Sequence, residues 1–417
     1  MPLTSFILHP SAFTVSPLSS RLHPSSFILH PSSFFYELSG LFLLAVFLYF
    51  IEHAIYLIGV VRGVRPPGGG APFEEGVPEP IVGSEASLPF CTVLVCARDE
   101  EHNIEECLAS LDAINYPKER LEVLIVDDKS TDRTPEILEA WKARMPNLRV
   151  LRTGEEVMNL RGKANALAQG MDAAGGEFVM ITDADSQVRP NWVREYLKYY
   201  DENVGMVASI TLLERKRFLD GIQSIDWSYL LGLAMASANI NLPLSVIGNN
   251  ISVRRAAYED IGGYSKIPFS VTEDYALFQA IWKKEPWKVR FPLHRDLLVM
   301  SAPCPDFRSW WRQKHRWVKG GEGLRAVGYL IFIIGLLAHA AMVLALFFIP
   351  LGAAFAVIGI KWSADLLVIL PVLARTRMQS LLKYFPIYEI YLVFFIFSMP
   401  VMMAQKNVKW KGRVYKH

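Results

Sequence analysis

The sequence predicts an α/β domain with a mostly parallel β-sheet, flanked by transmembrane helices. The first observation behind this prediction is composition: of 417 residues, 52% are hydrophobic and only 20% are charged, a more apolar balance than soluble domains usually have. The second is that the apolar excess is concentrated near residues 35–61 and 327–404. The third is that β-branched runs alternate with helical patterns over residues 89–320, an order typical of a parallel sheet covered on both faces.

Residues 1–34 are predicted to be a low-complexity, disordered segment. The sequence Ser-Phe-Ile-Leu-His-Pro-Ser occurs at residues 5–11 and again at residues 26–32. Short repeats dominated by Pro and Ser cannot bury a core, and no basic region precedes a compact apolar stretch as it would in a signal peptide. An over-long reading frame across repetitive DNA is the alternative explanation, and we assign this segment no function.

Residues 35–62 are predicted to form a transmembrane helix, because about 20 apolar residues suffice to cross a bilayer. Arg62 and Arg65 lie at its end, which favours a cytoplasmic location for that end under the positive-inside rule. Residues 63–88 are rich in Pro and Gly and are predicted to be a linker.

Residues 327–404 are predicted to form two or three transmembrane or interfacial helices. Apolar stretches occur at residues 329–350, 351–374 and 385–404. Three full crossings would carry the basic tail, residues 405–417, to the outside, against the positive-inside rule. Either one stretch is re-entrant or interfacial, with residues 385–404 as the candidate, or the tail breaks the rule.

Charge and cysteine content argue against two classes of function. The formal net charge is +2, whereas proteins that bind nucleic acid electrostatically have a strong basic excess, so no nucleic-acid partner is expected. The four cysteines show neither a Cys-x-x-Cys pair nor a Cys/His ligand spacing. Neither a structural zinc site nor a disulfide framework is therefore expected, and the cysteine usage fits a reducing compartment.

Acidic residues follow three of the predicted strands. Strand by strand, they are Glu100, then Asp127 and Asp128, then Asp183 and Asp185. Ligands of such sheets bind at the carboxyl ends of the strands, and the glycine loops that cradle phosphates in P-loop and dinucleotide folds are missing from the sequence. A nucleoside diphosphate would then be held through Mg²⁺ or Mn²⁺, which prefer oxygen ligands. Without further motifs, such acids are more often helix caps or solvated turns.

Five motifs resemble those of family 2 glycosyltransferases and occur in the same order. They are VDDKSTD at residues 126–132, GKANAL at 162–167, DAD at 183–185, TED at 272–274 and QKHRW at 313–317. The last two match the T-E-D and Q-x-x-R-W motifs of the membrane-embedded branch, which includes cellulose, hyaluronan and poly-N-acetylglucosamine synthases and ceramide glucosyltransferases. The resemblance covers roughly residues 89–320 and implies a GT-A-type nucleotide-sugar-binding domain.

The resemblance implies a role for each matching residue. Asp274 would take the proton of the acceptor hydroxyl as general base, with Glu273 beside it in the catalytic motif. Asp185, and less directly Asp183, would bind the Mg²⁺ or Mn²⁺ ion. The donor-binding residues would be Glu100, Asp127, Asp128, Lys163, Gln313, Arg316 and Trp317.

The Q-x-x-R-W segment also has a pattern of its own. In a helix, Gln313, Arg316 and Trp317 share a face, with Trp310 one turn earlier. Arginine can pair with a diphosphate and tryptophan can stack on a sugar. The structural alternatives are an aromatic and basic belt at the membrane interface for this segment, helix-terminus stabilisation for Asp274, and a solvated surface position for Lys163.

The resemblance implies an inverting transfer of a sugar from a nucleotide sugar, expected to be a UDP-sugar, to a hydroxyl of a lipid or saccharide acceptor. The chain would be an integral protein of the cytoplasmic (inner) membrane, in contact with membrane lipids, with its catalytic domain in the cytosol. A polyprenyl-phosphate sugar transferase is one alternative, which the Q-x-x-R-W motif disfavours. A non-catalytic scaffold is another, disfavoured by the intact Asp185 and Asp274.

Overall fold

The computed structural model describes residues 31–63, 87–158, 160–321, 326–410 and 413–416. Most of the predicted disordered segment (residues 1–30) and most of the predicted linker (residues 64–86) lie outside the described residues, as does part of the basic tail. The predictions for those segments therefore stay predictions.

The domain between the apolar regions is built on a mixed sheet. In chain order the strands are β1 Cys91–Ala97, β2 Leu121–Asp127, β3 Leu148–Arg152, β4 Phe178–Asp183, β5 Ser186–Gln187, β6 Val204–Ala208, β7 Thr211–Leu213, β8 Asn250–Arg254, β9 Lys288–Arg290 and β10 Val299–Ser301. The main sheet has the order β3-β2-β1-β4-β8-β6-β9, and β5-β10-β7 form a smaller one. In the main sheet β8 runs antiparallel to β4 and β6, whereas the other neighbours are parallel. The predicted mostly parallel sheet is confirmed.

Helices pack on both faces of this sheet. The helices are α1 Pro31–Gly63, α2 Ile104–Asp112, α3 Thr134–Lys142, α4 Lys163–Ala173, α5 Trp192–Leu197, α6 Phe218–Asn239, α7 Arg255–Asp260, α8 Glu273–Lys283, α9 Phe307–Gly320, α10 Ala326–Phe348, α11 Leu351–Thr376 and α12 Phe385–Ala404. A hairpin, β11 Asn407–Trp410 and β12 Arg413–Lys416, follows α12. Parallel neighbours need crossover connections, and α2, α3 and α4 supply them between β1, β2, β3 and β4.

Among the described residues, four helices are long and apolar enough to cross a membrane. They are residues 35–63 of α1, then α10, α11, and a segment from Gln379 to Ala404 that contains α12. The sequence analysis predicted two or three such helices for residues 327–404, and the structure has three in this region. Residues 385–404 form a continuous helix in spite of Pro400.

The 22-residue helix α6, which sequence reasoning missed, joins the domain to the apolar helices. It packs against α1, α11 and α12 as well as β7. At Gly59 a Cβ atom would lie 1.9 Å from the backbone oxygen of Ala236, so α1 and α6 approach each other too closely for any side chain at this position. Glycine is required there for steric reasons.

One hydrophobic core extends from the sheet into the apolar helices. Val179 of β4 and Leu277 of α8 belong to the same buried cluster as Val368 of α11 and Leu392 of α12. The opposite face of the sheet has a separate core, which includes Leu108, Val123 and Trp192. The sheet thus rests with one face on the apolar helices.

Candidate active site

The sheet register brings the predicted acids to one edge. Ala97 of β1 pairs with Asp127 of β2, and Cys96 pairs with Asp183 of β4. Because these strands are parallel, their carboxyl ends lie side by side. Asp127 and Asp183 therefore lie on either side of the end of β1, at the same edge of the sheet.

Two of the predicted nucleoside-binding acids are buried among their own loops. Asp127 is only 3% exposed and its Oδ1 accepts a hydrogen bond from the backbone N–H of Ser130 at 2.9 Å. Asp128 is 5% exposed and lies 3.5 Å from the Arg98 guanidinium. Glu100 is half-buried and accepts a hydrogen bond from the Asn103 side chain at 2.8 Å. These carboxylates hold the loops that end β1 and β2 in place, and their contact with a donor stays a prediction.

Lys163, the first residue of α4, reaches across to the end of β4. Its ammonium group forms an ion pair and hydrogen bond with the carboxylate of Asp183. Burial by itself lowers the pKa of Lys163, but the carboxylates of Asp183 and Glu273 raise it above its ordinary value. The side chain is therefore a fixed cation, although about a quarter of its surface stays exposed.

Glu273 lies between two cations. One of its oxygens is 3.8 Å from the Lys163 ammonium, and the other is 3.8 Å from the Arg316 guanidinium. Burial raises the pKa of Glu273, and the two cations act against that rise. The residue is only 5% exposed. This placement suits a residue that positions the side chains of Lys163 and Arg316 better than it suits a residue that touches a reacting atom.

Asp274 is the more accessible acid of the pair. It lies in the first turn of α8, which begins at Glu273 directly after Thr272. Its Oδ2 accepts a hydrogen bond from the Gly248 N–H at 2.7 Å, and its Oδ1 accepts one from the Tyr275 N–H at 2.8 Å. A Cβ at Gly248 would lie 2.6 Å from the Asp274 Cβ. Two backbone donors thus hold a half-buried carboxylate in one orientation.

Asp185 faces a cavity of about 300 Å³ that is also lined by Glu106, Glu214 and Arg217. Its carboxylate lies 3.2 Å from the hydroxyl of Ser186 and 3.3 Å from that of Ser301. Magnesium and manganese are typically held by one or two carboxylates together with substrate phosphates and water. A hard carboxylate at the rim of a cavity fits that requirement.

The second predicted metal ligand is differently placed. The Asp183 carboxylate pairs with Lys163, so the structure supports Asp185 more directly than Asp183. A three-residue group with metal-ligand spacing among the described residues is Glu195, His294 and Asp296. These are other residues than the predicted ligands.

Helix α9 carries the Q-x-x-R-W motif between α8 and the apolar helices. Arg316 points toward α8, where its guanidinium donates to the Val271 carbonyl at 3.2 Å. The predicted common face is only partly correct. Trp317 packs on Trp227 of α6, with ring centroids 5.5 Å apart, and Trp310 donates to the Tyr391 hydroxyl of α12 at 2.8 Å. Gln313 is half-buried on the same helix.

Sequence reasoning missed a buried ion pair on α9. Lys314, one of the unspecified residues of the motif, is 0% exposed and lies 2.5 Å from Asp226 of α6. The available signal was Asp226 itself, because an acid that is buried within an apolar helix needs a partner. The partner could not be identified, since it lies 88 residues away in the chain.

The assembled site can support a displacement at a carbon bound to a phosphate. It offers an oriented carboxylate for a proton and two cations for a phosphate leaving group. Asp185, at a cavity lined by other residues than these, offers a carboxylate for a divalent metal. Comparison with known families agrees with this chemistry. Residues 92–262 match the model of Glycosyl transferase family 2, and residues 178–404, more than half of the chain, match that of Glycosyl transferase family group 2.

Curated relatives cover part of the chain. The beta-monoglucosyldiacylglycerol synthase of Nostoc sp. is 28% identical over 243 residues, which are 57% of this chain and 50% of the relative. The poly-beta-1,6-N-acetyl-D-glucosamine synthase of Staphylococcus aureus is 28% identical over 245 residues, which are 56% of this chain and 55% of that one. The matched part thus spans about half the length of these relatives.

A solved structure with the same fold is a mannosyltransferase from Pyrobaculum calidifontis in complex with GDP-Man and Mn²⁺. It is 23% identical, the TM-score is 0.55, and the match covers 85% of this chain and 99% of that one. At this identity the likeness shows a shared fold.

Proposed function

The chain belongs to Glycosyl transferase family group 2, and from this premise we propose that it is an inverting glycosyltransferase of the cytoplasmic membrane. It moves a sugar from a nucleotide sugar, expected to be a UDP-sugar, to a hydroxyl group of a lipid or saccharide acceptor. The observation that carries the proposal is the first turn of α8. There, Asp274 is held by two backbone N–H groups beside Glu273, which faces both Lys163 and Arg316.

The proposed reaction is a single displacement. The acceptor oxygen attacks the anomeric carbon of the donor sugar, its proton passes to Asp274, and the bond between that carbon and the diphosphate oxygen breaks. General-base catalysis of this kind typically contributes about 10²- to 10⁴-fold to a rate. Attack from the side opposite the leaving group inverts the anomeric configuration.

The cations of the site stabilise the departing nucleoside diphosphate. Lys163 and Arg316 supply fixed positive charge in a partly buried setting, where such charge is worth more than in water. A Mg²⁺ or Mn²⁺ ion held by Asp185 and the donor phosphates would neutralise further negative charge when bound. The Mn²⁺ in the complex of the Pyrobaculum enzyme supports that cofactor class for this chain.

We place the catalytic domain on the cytosolic side, because nucleotide sugars are cytosolic metabolites. Four helices long and apolar enough to cross a membrane, counted over the described residues, support an integral membrane protein. Phe218 and Leu219 at the start of α6 and Phe307 at the start of α9 are exposed, as expected where a domain meets membrane lipids. The names of the Nostoc and Staphylococcus relatives support a glycolipid or a polysaccharide as product.

The test is a donor screen with the full chain in native membranes. Membranes with and without the protein are incubated with UDP-glucose, UDP-N-acetylglucosamine or GDP-mannose in Mn²⁺ or in chelator, and products are identified by mass spectrometry. We expect one donor to give a metal-dependent product, and NMR of that product to show the anomeric configuration opposite to the donor's. A product with retained configuration would overturn the inverting mechanism. Absence of transfer from every nucleotide sugar, with folded protein, would overturn the proposed function.

A further inference from the structure

The buried face of α9 is attached to the apolar helices by a chain of polar contacts. The Asp226 carboxylate oxygen Oδ2 lies 2.5 Å from the Lys314 ammonium and accepts a hydrogen bond from the Tyr391 hydroxyl at 2.9 Å. The Tyr391 hydroxyl in turn accepts one from the Trp310 indole N–H at 2.8 Å. Residues of α6, α9 and α12 therefore meet at one carboxylate oxygen.

The remaining surroundings of Lys314 are aromatic. Its ammonium lies 4.4 Å from the centre of the Trp317 ring and 4.9 Å from that of Phe395 on α12, distances at which an aromatic face attracts a cation. Lys314 and Asp226 are 0% and 1% exposed. Charges buried this deeply are costly unless they are paired, so the pair fixes how deeply α9 sits against α6 and α12.

The other side of the same helix touches the catalytic motif. Arg316 lies 3.8 Å from Glu273 and donates to the Val271 carbonyl. At Gly320, a Cβ would lie 2.2 Å from the side chain of Thr272. Trp310, Lys314 and Trp317 are spaced i, i+4, i+7 and form the membrane-side stripe, whereas Arg316 and Gly320 are spaced i, i+4 and form the stripe toward α8. A shift of α9 on its buried side would move Arg316 relative to Glu273.

We propose that the Lys314–Asp226 ion pair is a positioning element of the transferase site, which holds Arg316 at the leaving diphosphate by anchoring α9 to α6 and α12. The proposal rests on the proposed function for its catalytic readout. It assigns Lys314 and Asp226 no contact with either substrate. Because misplacement of a catalytic group by about 1 Å can cost on the order of 10²-fold in rate, loss of the anchor should be visible in turnover.

The test uses a double variant that is expected to fold. Replacing a buried ion pair by apolar residues of similar size is often neutral for stability, whereas removing one partner is not. We therefore compare Lys314→Met/Asp226→Leu with the wild type in full-length protein. The matched control is Arg312→Met, which removes a cation from an exposed position of the same helix.

Two measurements decide the proposal. Hydrogen exchange followed by mass spectrometry reports on α9 without requiring activity, and we expect faster exchange in residues 307–320 while β1 and β4 stay protected. Initial rates should show kcat lower by roughly 10- to 100-fold with a smaller change in the KM of the donor. In a double-mutant cycle, adding Arg316→Ala to the Lys314→Met/Asp226→Leu variant should give a kcat little lower than that of Arg316→Ala alone. Both changes act through Arg316, so their effects should not add.

Three results would overturn the proposal: unchanged exchange in α9, a wild-type kcat in the double variant, or full additivity with Arg316→Ala. If the wild type transfers no sugar at all, the proposed function fails, and the hydrogen-exchange result still decides whether the pair anchors α9.

Discussion

Two of the clusters of charged residues in the described part of the chain differ in whether a ligand can reach them. The site cluster, defined as Lys163, Asp183, Glu273 and Arg316, opens at the carboxyl edge of the sheet, and the side chains of Lys163 and Asp183 are 26% and 32% exposed. The helix cluster, defined as Lys361, Asp365 and Glu389, lies within α11 and α12, where each side chain is at most 1% exposed.

The helix cluster is closed by protein groups. Lys361 contacts both Asp365 and Glu389. Asp365 also accepts hydrogen bonds from the hydroxyls of Tyr49 on α1 and Tyr229 on α6, at 2.6 and 2.8 Å. Four helices, α1, α6, α11 and α12, thus converge on the helix cluster. In the site cluster, by contrast, the side chains of Lys163 and Arg316 stay 26% and 16% exposed, so both cations are accessible to a substrate anion.

We infer that ion pairs between the same types of residue stabilise the fold where they are buried, and we propose that they serve chemistry where they are partly exposed. Charges sealed from water hold helices together, because breaking one contact leaves an uncompensated ion. Charges that stay partly exposed can exchange a protein partner for a ligand. Substitutions in the two clusters should therefore separate cleanly into effects on unfolding and effects on turnover.

The largest effect is expected at the edge of the site cluster. Asp274→Asn keeps the shape of the side chain but cannot take a proton, so kcat should fall by about 10²- to 10⁴-fold, with the melting temperature and nucleotide affinity unchanged. Initial rates, thermal unfolding and calorimetry with the donor's nucleoside diphosphate provide the measurements. Asp172→Asn, on the exposed surface of α4, is the control.

Arg316→Ala sharpens this prediction, because it should weaken nucleotide binding as well as turnover. Near-wild-type turnover of Asp274→Asn, or much weaker nucleotide binding by it, would show that Asp274 is not the base.

The second largest effect is expected for Lys361→Met in the helix cluster, which should lower stability and leave turnover unchanged. Lys361→Met leaves two buried carboxylates without a cation, and breaking a buried pair in this way typically costs about 3–5 kcal/mol. We expect a lower yield of folded protein and a lower unfolding temperature in detergent, with normal specific activity for the molecules that fold. Lys142→Met, an exposed lysine of α3, should change neither. If Lys361→Met is as stable as the wild type, the helix cluster does not stabilise the fold, and the proposed difference between the two clusters is wrong.

The smallest effect is expected for Glu273→Gln. Its two ion pairs are long, at 3.8 Å, and their cations are 26% and 16% exposed, so each pair should contribute no more than an exposed pair does, about 0.2–1 kcal/mol. We therefore expect kcat/KM at neutral pH to fall roughly two- to fivefold as Lys163 and Arg316 lose a shared partner. The pH profile is more diagnostic. Asp183 and Glu273 raise the pKa of Lys163, so its charge persists to higher pH than that of an ordinary lysine.

Removal of one carboxylate lowers the Lys163 pKa toward its ordinary value. Donor affinity of Glu273→Gln should therefore begin to fall at a lower alkaline pH than that of the wild type. Glu139→Gln on the surface of α3 is the control. If donor affinity falls at the same alkaline pH in Glu273→Gln and in the wild type, Glu273 does not raise the pKa of Lys163.

Sequence alone could predict the strand-end acids because two general rules locate them. Buried runs mark β1, β2 and β4, and the carboxyl ends of parallel strands share one edge of the sheet, so the position of Asp127 and Asp183 at strand ends followed without a structure. The resemblance to a family added Lys163, Asp274 and Arg316 to the same site. Their distances could not be predicted, because Glu273 meets Arg316 only through the packing of α8 against α9.

The partners of isolated charges within apolar helices were beyond sequence reasoning. Lys361, Asp365 and Asp226 each interrupt an apolar segment, which indicates a buried partner in general terms. Which partner depends on how helices from distant parts of the chain pack. For the same reason α6 was missed: it lies within the α/β domain and yet packs on α1 and α11.

The hydrophobic core that continues from the sheet into α11 and α12 has a practical consequence for preparing the enzyme. A water-soluble fragment limited to residues 89–320 would retain Leu277 and Val179 but lose Val368 and Leu392, which lie in the same buried cluster. The fragment would also lack α1, and with it the close contact between Gly59 of α1 and Ala236 of α6. We expect such a fragment to expose a large apolar surface and to precipitate. Crystallisation and activity assays therefore require the whole chain in detergent or nanodiscs.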